Sequence, residues 1–516
     1  MSSVKLPPVV ASPGPQVVER DSIELTLESA LAHALRNSKG IQVLSLIPRE
    51  VLTDVDAESA KFDPAFLGGV RSGQRNQQSA SSIQTLGANP NAIRSTTFGP
   101  AGPSADQLQF QQRWQSGTRA AIGYNSGYNL NNPAGQFLIV DPAWNSSLRL
   151  SVEQPVFQGA TSRINQAGIR IAKIRHDQSN LEFKAEVNRI LHDVAVAWWR
   201  LHLTTSNVEN LGKIVEYAEQ AWQNERRKLQ LGVNSVADES QARENLEATH
   251  AQFAAAKRDA ISAETLLRQK LGIDPANNVK LVVHAEPITD EFTPNLESGI
   301  KRALASRPEL GAQRSHVRMT ALDVNRQRDS LLPKLNLLAG YGLTGLNNSF
   351  GGSLSDLSSA NYGNWDLGLS FQKTLGQRAA RSNLSRSELT HTRARLAESA
   401  LRDDIRYEVR ESFDQVLSAY NVLDRQNARL AAANSRFQTH RRMYELGQLG
   451  IDRLMPSQQA YVVALRDQNT ALVQYNLSIN RWHYVTGKMT LDNVRGSTLK
   501  QKNSTKATVA SDWITQ

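Results

Sequence analysis

The chain has no cysteine. That excludes disulfides, thiolate metal sites and a lipid anchor attached through sulfur. No stretch reaches the roughly 18 consecutive apolar residues that a membrane-spanning helix requires. Charge of one sign is never concentrated either: the net +10 comes from Lys and Arg scattered among Asp and Glu. With no basic block interleaved with aromatics, this excess does not read as a nucleic-acid surface. Enzyme signatures are missing too. Gly340-Tyr-Gly-Leu-Thr-Gly345 has the spacing of a dinucleotide loop, but no helix follows it, so it reads as strand and loop. There is no phosphate-cradling loop with Lys, no His-Glu-x-x-His and no Gly-x-Ser-x-Gly, and the ten His are dispersed. No catalytic residue, cofactor or metal site is expected, and the chain does not read as an enzyme. Met1 to Pro15 is polar and lacks the apolar core of a secretory signal. That leaves a signal already removed, a start further upstream, or a protein that stays inside the cell.

What the chain does have is periodicity. From Arg378 to Gly487 it reads as a long helix, a tip and a helix running back. Phe413, Leu417, Tyr420, Leu423, Asn427, Leu430, Asn434, Phe437, Arg441 and Tyr444 recur at spacings of three and four. Val462, Leu465, Asn469, Leu472, Asn476, Ile479, His483 and Thr486 keep the rhythm on the return. Such a seam lets two helices lie nearly parallel and interlock their side chains. Gly447 and Gly450 interrupt it where the backbone must reverse.

The same object occurs earlier in the chain, which makes the sequence a tandem repeat. Gly232 and Leu271-Gly272 precede Gly447 and Thr486-Gly487 by 215 residues, and Trp198 falls opposite Phe413. Leu148-Arg-Leu-Ser151 precedes Leu367-Gly-Leu-Ser370 by 219. Leu27-Glu-Ser29, Ala34-Leu35 and Pro64 precede Leu296-Glu-Ser298, Ala303-Leu304 and Pro333 by 269. Each half therefore runs helix, helix, Pro, strand, loop, strand, long helix, tip, return helix. The expected organisation is a disordered leader over 1–21, a first repeat over 22–272 with its tip near 232, and a turn-rich connector over 273–295. A second repeat over 296–490 has its tip near 447, and a polar tail covers 491–516. The changing offset assigns the extra residues of the first half to one long loop, 73–145.

Between helices the period changes from near four to two. Phe110, Trp114, Ala120, Ile122, Tyr124 and Tyr128 alternate with polar residues, as do Leu148, Leu150 and Val152. In the second half Leu335, Leu337, Ala339, Tyr341 and Leu343 alternate, then Trp365, Leu367, Leu369 and Phe371. Strands near ten residues long, with Trp144, Tyr362 and Trp365 at their ends, suit a tilted membrane strand with an aromatic girdle. Two strands per half give four per chain, a number that cannot close, and an open edge in lipid leaves unpaired backbone groups that each cost several kcal/mol. Three chains would supply twelve strands, and their helices a ring.

Across residues 22–490 the chain resembles the TolC family of outer-membrane efflux proteins. The resemblance rests on Leu25-Thr-Leu-Glu-Ser-Ala-Leu31, Ser306-Arg-Pro-Glu-Leu310, Leu332-Pro333 before a strand, Gln154-Pro-Val-Phe157 after one, Tyr444-x-x-Gly447, and the Gly232 tip with Asp238 and Ala242-Arg243. It implies a mainly α fold in which long helical hairpins form a tunnel in the periplasm and the strands join a trimeric barrel in outer-membrane lipid. It also implies a passive exit channel for efflux or type I secretion, docked by a periplasmic adaptor and an inner-membrane pump. A soluble coiled-coil scaffold is the alternative reading. By the same resemblance Asp238 and Tyr444 match the family's gate positions, whereas Leu449 stands where a gate arginine is expected and Arg453 and Pro456 where an acidic ring is expected. Asp238 is then expected to pair with Arg453 or Arg441, or else to cap its helix. The turns Gly232, Val233, Asn234, Ser235 and Gly447, Gln448, Leu449, Gly450 are the expected adaptor-docking surface.

Overall fold

A computed structural model describes residues 22–78, 92–100, 106–132, 139–277 and 279–488. The leader over 1–21, the tail over 491–516 and parts of the long first loop lie outside the described residues. In chain order the elements are β1 (Ser22–Leu25), α1 (Leu27–Asn37), α2 (Lys39–Ser59), β2 (Ala65–Gly68), β3 (Val70–Gln78), β4 (Ala92–Pro100), β5 (Leu108–Arg113), β6 (Arg119–Asn132) and β7 (Ala143–Pro155). Then come α3 (Ser162–Asn165), α4 (Ala167–Gln230), α5 (Val236–Leu271), β8 (Lys280–Val283), α6 (Leu296–Ser306) and α7 (Pro308–Asp329). The chain ends with β9 (Lys334–Asn347), α8 (Phe350–Ser358), β10 (Gly363–Gln372), α9 (Arg378–Glu445) and α10 (Ile451–Val485). Among the described residues no helix is long and apolar enough to cross a membrane.

The chain divides into two compact units. One combines Met1–Leu46, Leu181–Leu310 and Ala400–Gln516. Two of its helices start on equivalent side-chain caps: Thr26 Oγ1 accepts from Ser29 N at 3.2 Å before α1, and Asn295 Oδ1 accepts from Ser298 N at 2.9 Å before α6. These two caps sit at the 269-residue offset of the repeat. β1 and β8 form a parallel ribbon pairing Ser22 with Lys280 and Leu25 with Val283. Trp198 is buried beside it among Leu31, Leu191, Leu267 and Leu281. Its indole Nε1 donates to the Leu25 carbonyl at 3.1 Å, so burying the ring leaves no polar atom unpaired. A second cluster packs Val409, Val416 and Leu423 of α9 against Tyr475, Ile479 and Trp482 of α10.

The buried stripe of α9 departs from the expected seam. It runs through Ile405, Val409, Ser412, Val416, Leu423, Phe437 and Tyr444, whereas Asn427 and Asn434 are exposed. The buried positions Val409, Val416, Leu423, Phe437 and Tyr444 hold the heptad spacing, and Asn427 and Asn434 lie on the neighbouring row at the rim, where Asn427 Oδ1 accepts from Gln468 Nε2 of α10 at 3.0 Å.

The other unit, Ile47–Asn180 with Gly311–Ser399, holds an eight-stranded antiparallel sheet. Its four long strands lie in the order β10-β9-β7-β6; β7, β9 and β10 fall on expected strands, whereas β6 lies within the span expected as the long loop, on the alternation from Leu108 to Leu130. The span 73–145, expected as a loop, in fact contributes further strands. β4 and β5 both pair with β6, one beyond the other, while β3 pairs with β4 and β2 with β5. The alternation from Leu108 to Leu130 is thus two strands, reversed at residues 114–118. There Trp114 N donates to Thr118 O and Gly117 N to Trp114 O, both at 2.9 Å.

Period two gives the sheet two faces. Trp365, Leu367, Leu369 and Phe371 of β10 lie beside Tyr341, Ala339, Leu337 and Leu335 of β9, and Leu150 of β7 continues the row to Ile122 of β6. This apolar face is open, with Trp365 78% exposed. Trp144 packs against Tyr128 and Phe350, ring centroids 5.1 and 5.4 Å away, toward one end of it. The opposite face is polar. Across it Arg149 Nη2 of β7 reaches Asp366 Oδ1 of β10 at 2.6 Å, passing over β9 at Gly340. A Cβ at Gly340 would lie 2.4 Å from that Asp366 oxygen, so the ion pair depends on glycine there.

Candidate functional site

The tips of both helical hairpins lie in the first unit and pack on each other. Each reversal uses the same backbone device. Gly232 N bonds Leu229 O at 3.0 Å and Val233 N bonds Lys228 O at 3.0 Å; Gly447 N bonds Tyr444 O at 3.0 Å and Gln448 N bonds Met443 O at 2.8 Å. Both glycines have left-handed φ, +73° and +74°, which lets the last turn satisfy its own carbonyls. Around them Ala221, Ala242, Phe437, Tyr444, Ile451 and Leu454 form one apolar cluster drawn from all four helices. Phe437 stacks on Tyr461 at 5.3 Å and tilts against Tyr217 at 6.0 Å.

Inside that cluster sits a carboxylate. Glu225 of α4 has a side chain only 1% exposed. Three donors surround it: the Tyr444 hydroxyl of α9, Asn234 Nδ2 in the first turn, and Lys228 Nζ at 2.8 Å. Lys228 Nζ also lies 4.4 Å from the Tyr444 ring centroid, so the cation touches both partners. Burial pushes the Tyr444 phenol well above its ordinary pKa, and the bond to Glu225 and its charge push the same way. The phenol therefore stays protonated and donating, and a buried ion is stable only because its lone pairs are filled this way.

The residues expected at the gate are distributed differently. Tyr444 is in the cluster, but its acid is Glu225. Asp238 belongs to a capping box: its backbone N donates to Ser235 Oγ at 3.2 Å, and its carboxylate accepts from Ser235 N at 3.3 Å and from Ser235 Oγ at 2.6 Å. Arg441 Nε donates to Glu445 Oε1 at 2.9 Å and its guanidinium lies 4.4 Å from the Tyr217 ring. Arg453 is exposed. Within the chain, then, Asp238 is held by Ser235 and is paired with neither arginine. Of the turn residues, Gly232, Val233 and Gly447 are exposed, Ser235 and Gly450 are helix N-caps, and Asn234 binds Glu225. Among the described residues no group of three His, Asp or Glu is placed to hold a metal.

A model of the outer membrane efflux protein family matches residues 30–273 and 299–481, most of the chain. The chain belongs to that family. It is an outer-membrane efflux channel, not an enzyme. The Campylobacter jejuni CmeC outer membrane channel shares its fold with a TM-score of 0.63 at 14% identity, over 97% of this chain and 98% of that one. The outer membrane protein VceC of Vibrio cholerae gives 0.62 at 12%, over 89% and 96%. The open state of the Neisseria gonorrhoeae MtrE outer membrane channel gives 0.58 at 13%, over 94% and 97%. No curated protein sequence matches the chain.

In this channel Glu225 is the site residue that sequence reasoning misses. Glu225 and Lys228, three apart on a charged helix, look like one of many solvated pairs. The second hairpin, 219 residues later, covers Glu225, while Lys228 stays 36% exposed. The one available signal is Tyr444, a hydroxyl on the apolar stripe of α9 that needs an acceptor.

Proposed function

We propose that the channel works as a homotrimer, a passive exit duct for small molecules or secreted chains, with its strands in outer-membrane lipid and its helices in the periplasm. The reading is carried by one observation: the same chain joins an antiparallel sheet with an open apolar face to a pair of hairpins locked tip to tip by a buried hydrogen bond. Opening at the tips requires the second hairpin to move from the first, and the bond from Tyr444 to Glu225 is what that movement breaks. The gate is this contact, repeated in each subunit. Asp238, Arg441 and Arg453 add ion pairs between neighbouring subunits, each worth under about 1 kcal/mol while exposed. The exposed apolar residues of the turns, Leu231, Val233, Val236 and Leu446, dock a periplasmic adaptor that is served by an inner-membrane pump.

Fractionation and bilayer recording test this. The protein should sediment with outer membranes, leave them only in detergent, and conduct more per channel as Glu225→Gln or Tyr444→Phe. A particle soluble without detergent would overturn the channel reading. Unchanged conductance with lower thermal stability would overturn the gate.

A further inference from the structure

The sheet has six columns of strand, not four. β2 and β3 follow one another in the first column, β4 and β5 in the second, and β6, β7, β9 and β10 make the rest. The first two come from the hairpin between residues 65 and 113, and a hairpin of that kind either belongs to the barrel wall or folds off it as a flap. The residue pattern discriminates. In register with Ile122 of β6 stand Phe110 of β5 and then Phe66 of β2. In register with Tyr124 stands Leu108, and Val70 continues the first column on the same face. Phe66 and Val70 are 69% and 65% exposed, as open as the apolar residues of β10 at the far edge. The reverse face is polar apart from Leu67, with Gln109 and Gln111 on β5 and Arg71 and Arg75 on β3. One apolar belt therefore crosses all six columns, and a flap in water would have no use for it.

We infer that the hairpin is part of the wall and that the β2–β3 edge of one copy pairs with the β10 edge of the next. This rests on the trimeric reading above. Every pairing in the sheet is antiparallel, so with six columns the two free edges run in opposite directions. A second copy then adds in an antiparallel ladder without inversion, a head-to-tail contact of the kind that closes rings. Three copies of six columns give eighteen strands in place of the twelve expected from four. Barrel diameter grows roughly linearly with strand number, so the mouth is about 1.5-fold wider.

The cysteine-free chain makes the test direct. Val70→Cys or Ser72→Cys on β3 is combined with Leu367→Cys or Leu369→Cys on β10, and the full-length protein is oxidised in mild detergent. Covalent dimers and trimers, absent from each single variant, are the expected result for at least one pair. In a parallel series Ile122→Cys or Tyr124→Cys on β6 replaces the β3 substitution. Cross-linking of β10 through β6 would overturn the inference, because β6 is accessible to a neighbour only if the hairpin leaves the wall. A trimer by light scattering that cross-links through neither edge would also overturn it and leave the channel reading standing. A monomer would sink both.

Discussion

At the repeat's offset of 215, Ser235 and Asp238 of the first tip stand opposite Gly450 and Arg453 of the second. The backbone turn is the same, but the caps are not. α5 begins with a reciprocal capping box and an acid at its third position, whereas α10 begins on a glycine with no side-chain cap, with Asp452 at its second position and Arg453 at its third. The contrast continues inward. Glu225 is opposite His440, Lys228 opposite Met443 and Asn234 opposite Leu449. The first tip thus holds a polar cradle; at the second, His440 turns to the Arg453 carbonyl, Met443 and Leu449 are apolar, and one hydroxyl, Tyr444, enters that cradle. Glycine sets the reversal in both. The neighbouring side chains decide which tip is anchored by its own bonds and which depends on its partner.

The largest change expected is one that spares the tips. Burial lowers the pKa of His483 from 6.5 to about 4, helped by the charges of Lys488 and Arg302. Burial likewise depresses His33, His192 and His202. The unfolded chain takes up these protons first, so their contribution to stability is complete above pH 6.5 and is lost as pH falls toward 4. Thermal melts in detergent should drop steeply over that window, and His483→Gln should flatten part of the slope; a melting temperature constant from pH 7 to 4.5 would contradict the burial described.

At the tips, Glu225→Ala removes the acceptor shared by the Tyr444 hydroxyl, Asn234 Nδ2 and Lys228 Nζ and leaves the hydroxyl only the Ala221 carbonyl at 3.4 Å, which should cost about 2 kcal/mol. His440→Ala at the equivalent position should cost under about 0.5 kcal/mol, as surface changes do. Equal losses in melting temperature would erase the asymmetry. Tyr444→Phe removes one charge-assisted bond and should cost about 2 kcal/mol. Ser235→Ala should cost about 1 kcal/mol and loosen the first turn of α5 in hydrogen exchange. Gly450→Ser with Arg453→Asp installs the missing box and should raise protection of the first turn of α10 by about 0.5 kcal/mol.

Much of the fold was legible because it is written in turn residues and periods. Gly232, Gly272, Gly447 and Pro333 punctuate the helices, and the period-two runs of β7, β9 and β10 became strands. The additional hairpin was hidden because β3 and β4 are built from Arg, Ser, Thr, Gln and Gly, which read as loop; only cross-strand pairing makes them a sheet. Of the seam expected on α9, Leu423, Phe437 and Tyr444 are buried, while Asn427 and Asn434 on the adjoining row face solvent, as amides can without cost. Glu225 escaped because burial of a charge is decided by a partner far along the chain, and local spacing carries no trace of it.

The ribbon of β1 and β8 has a bearing on biogenesis. Both its strands, and the tryptophan that donates to Leu25, precede residue 284. All the parts of that fastening therefore lie in the first repeat and the connector. A chain truncated after the connector should already protect the Leu25 backbone, giving the second hairpin a finished surface on which to assemble.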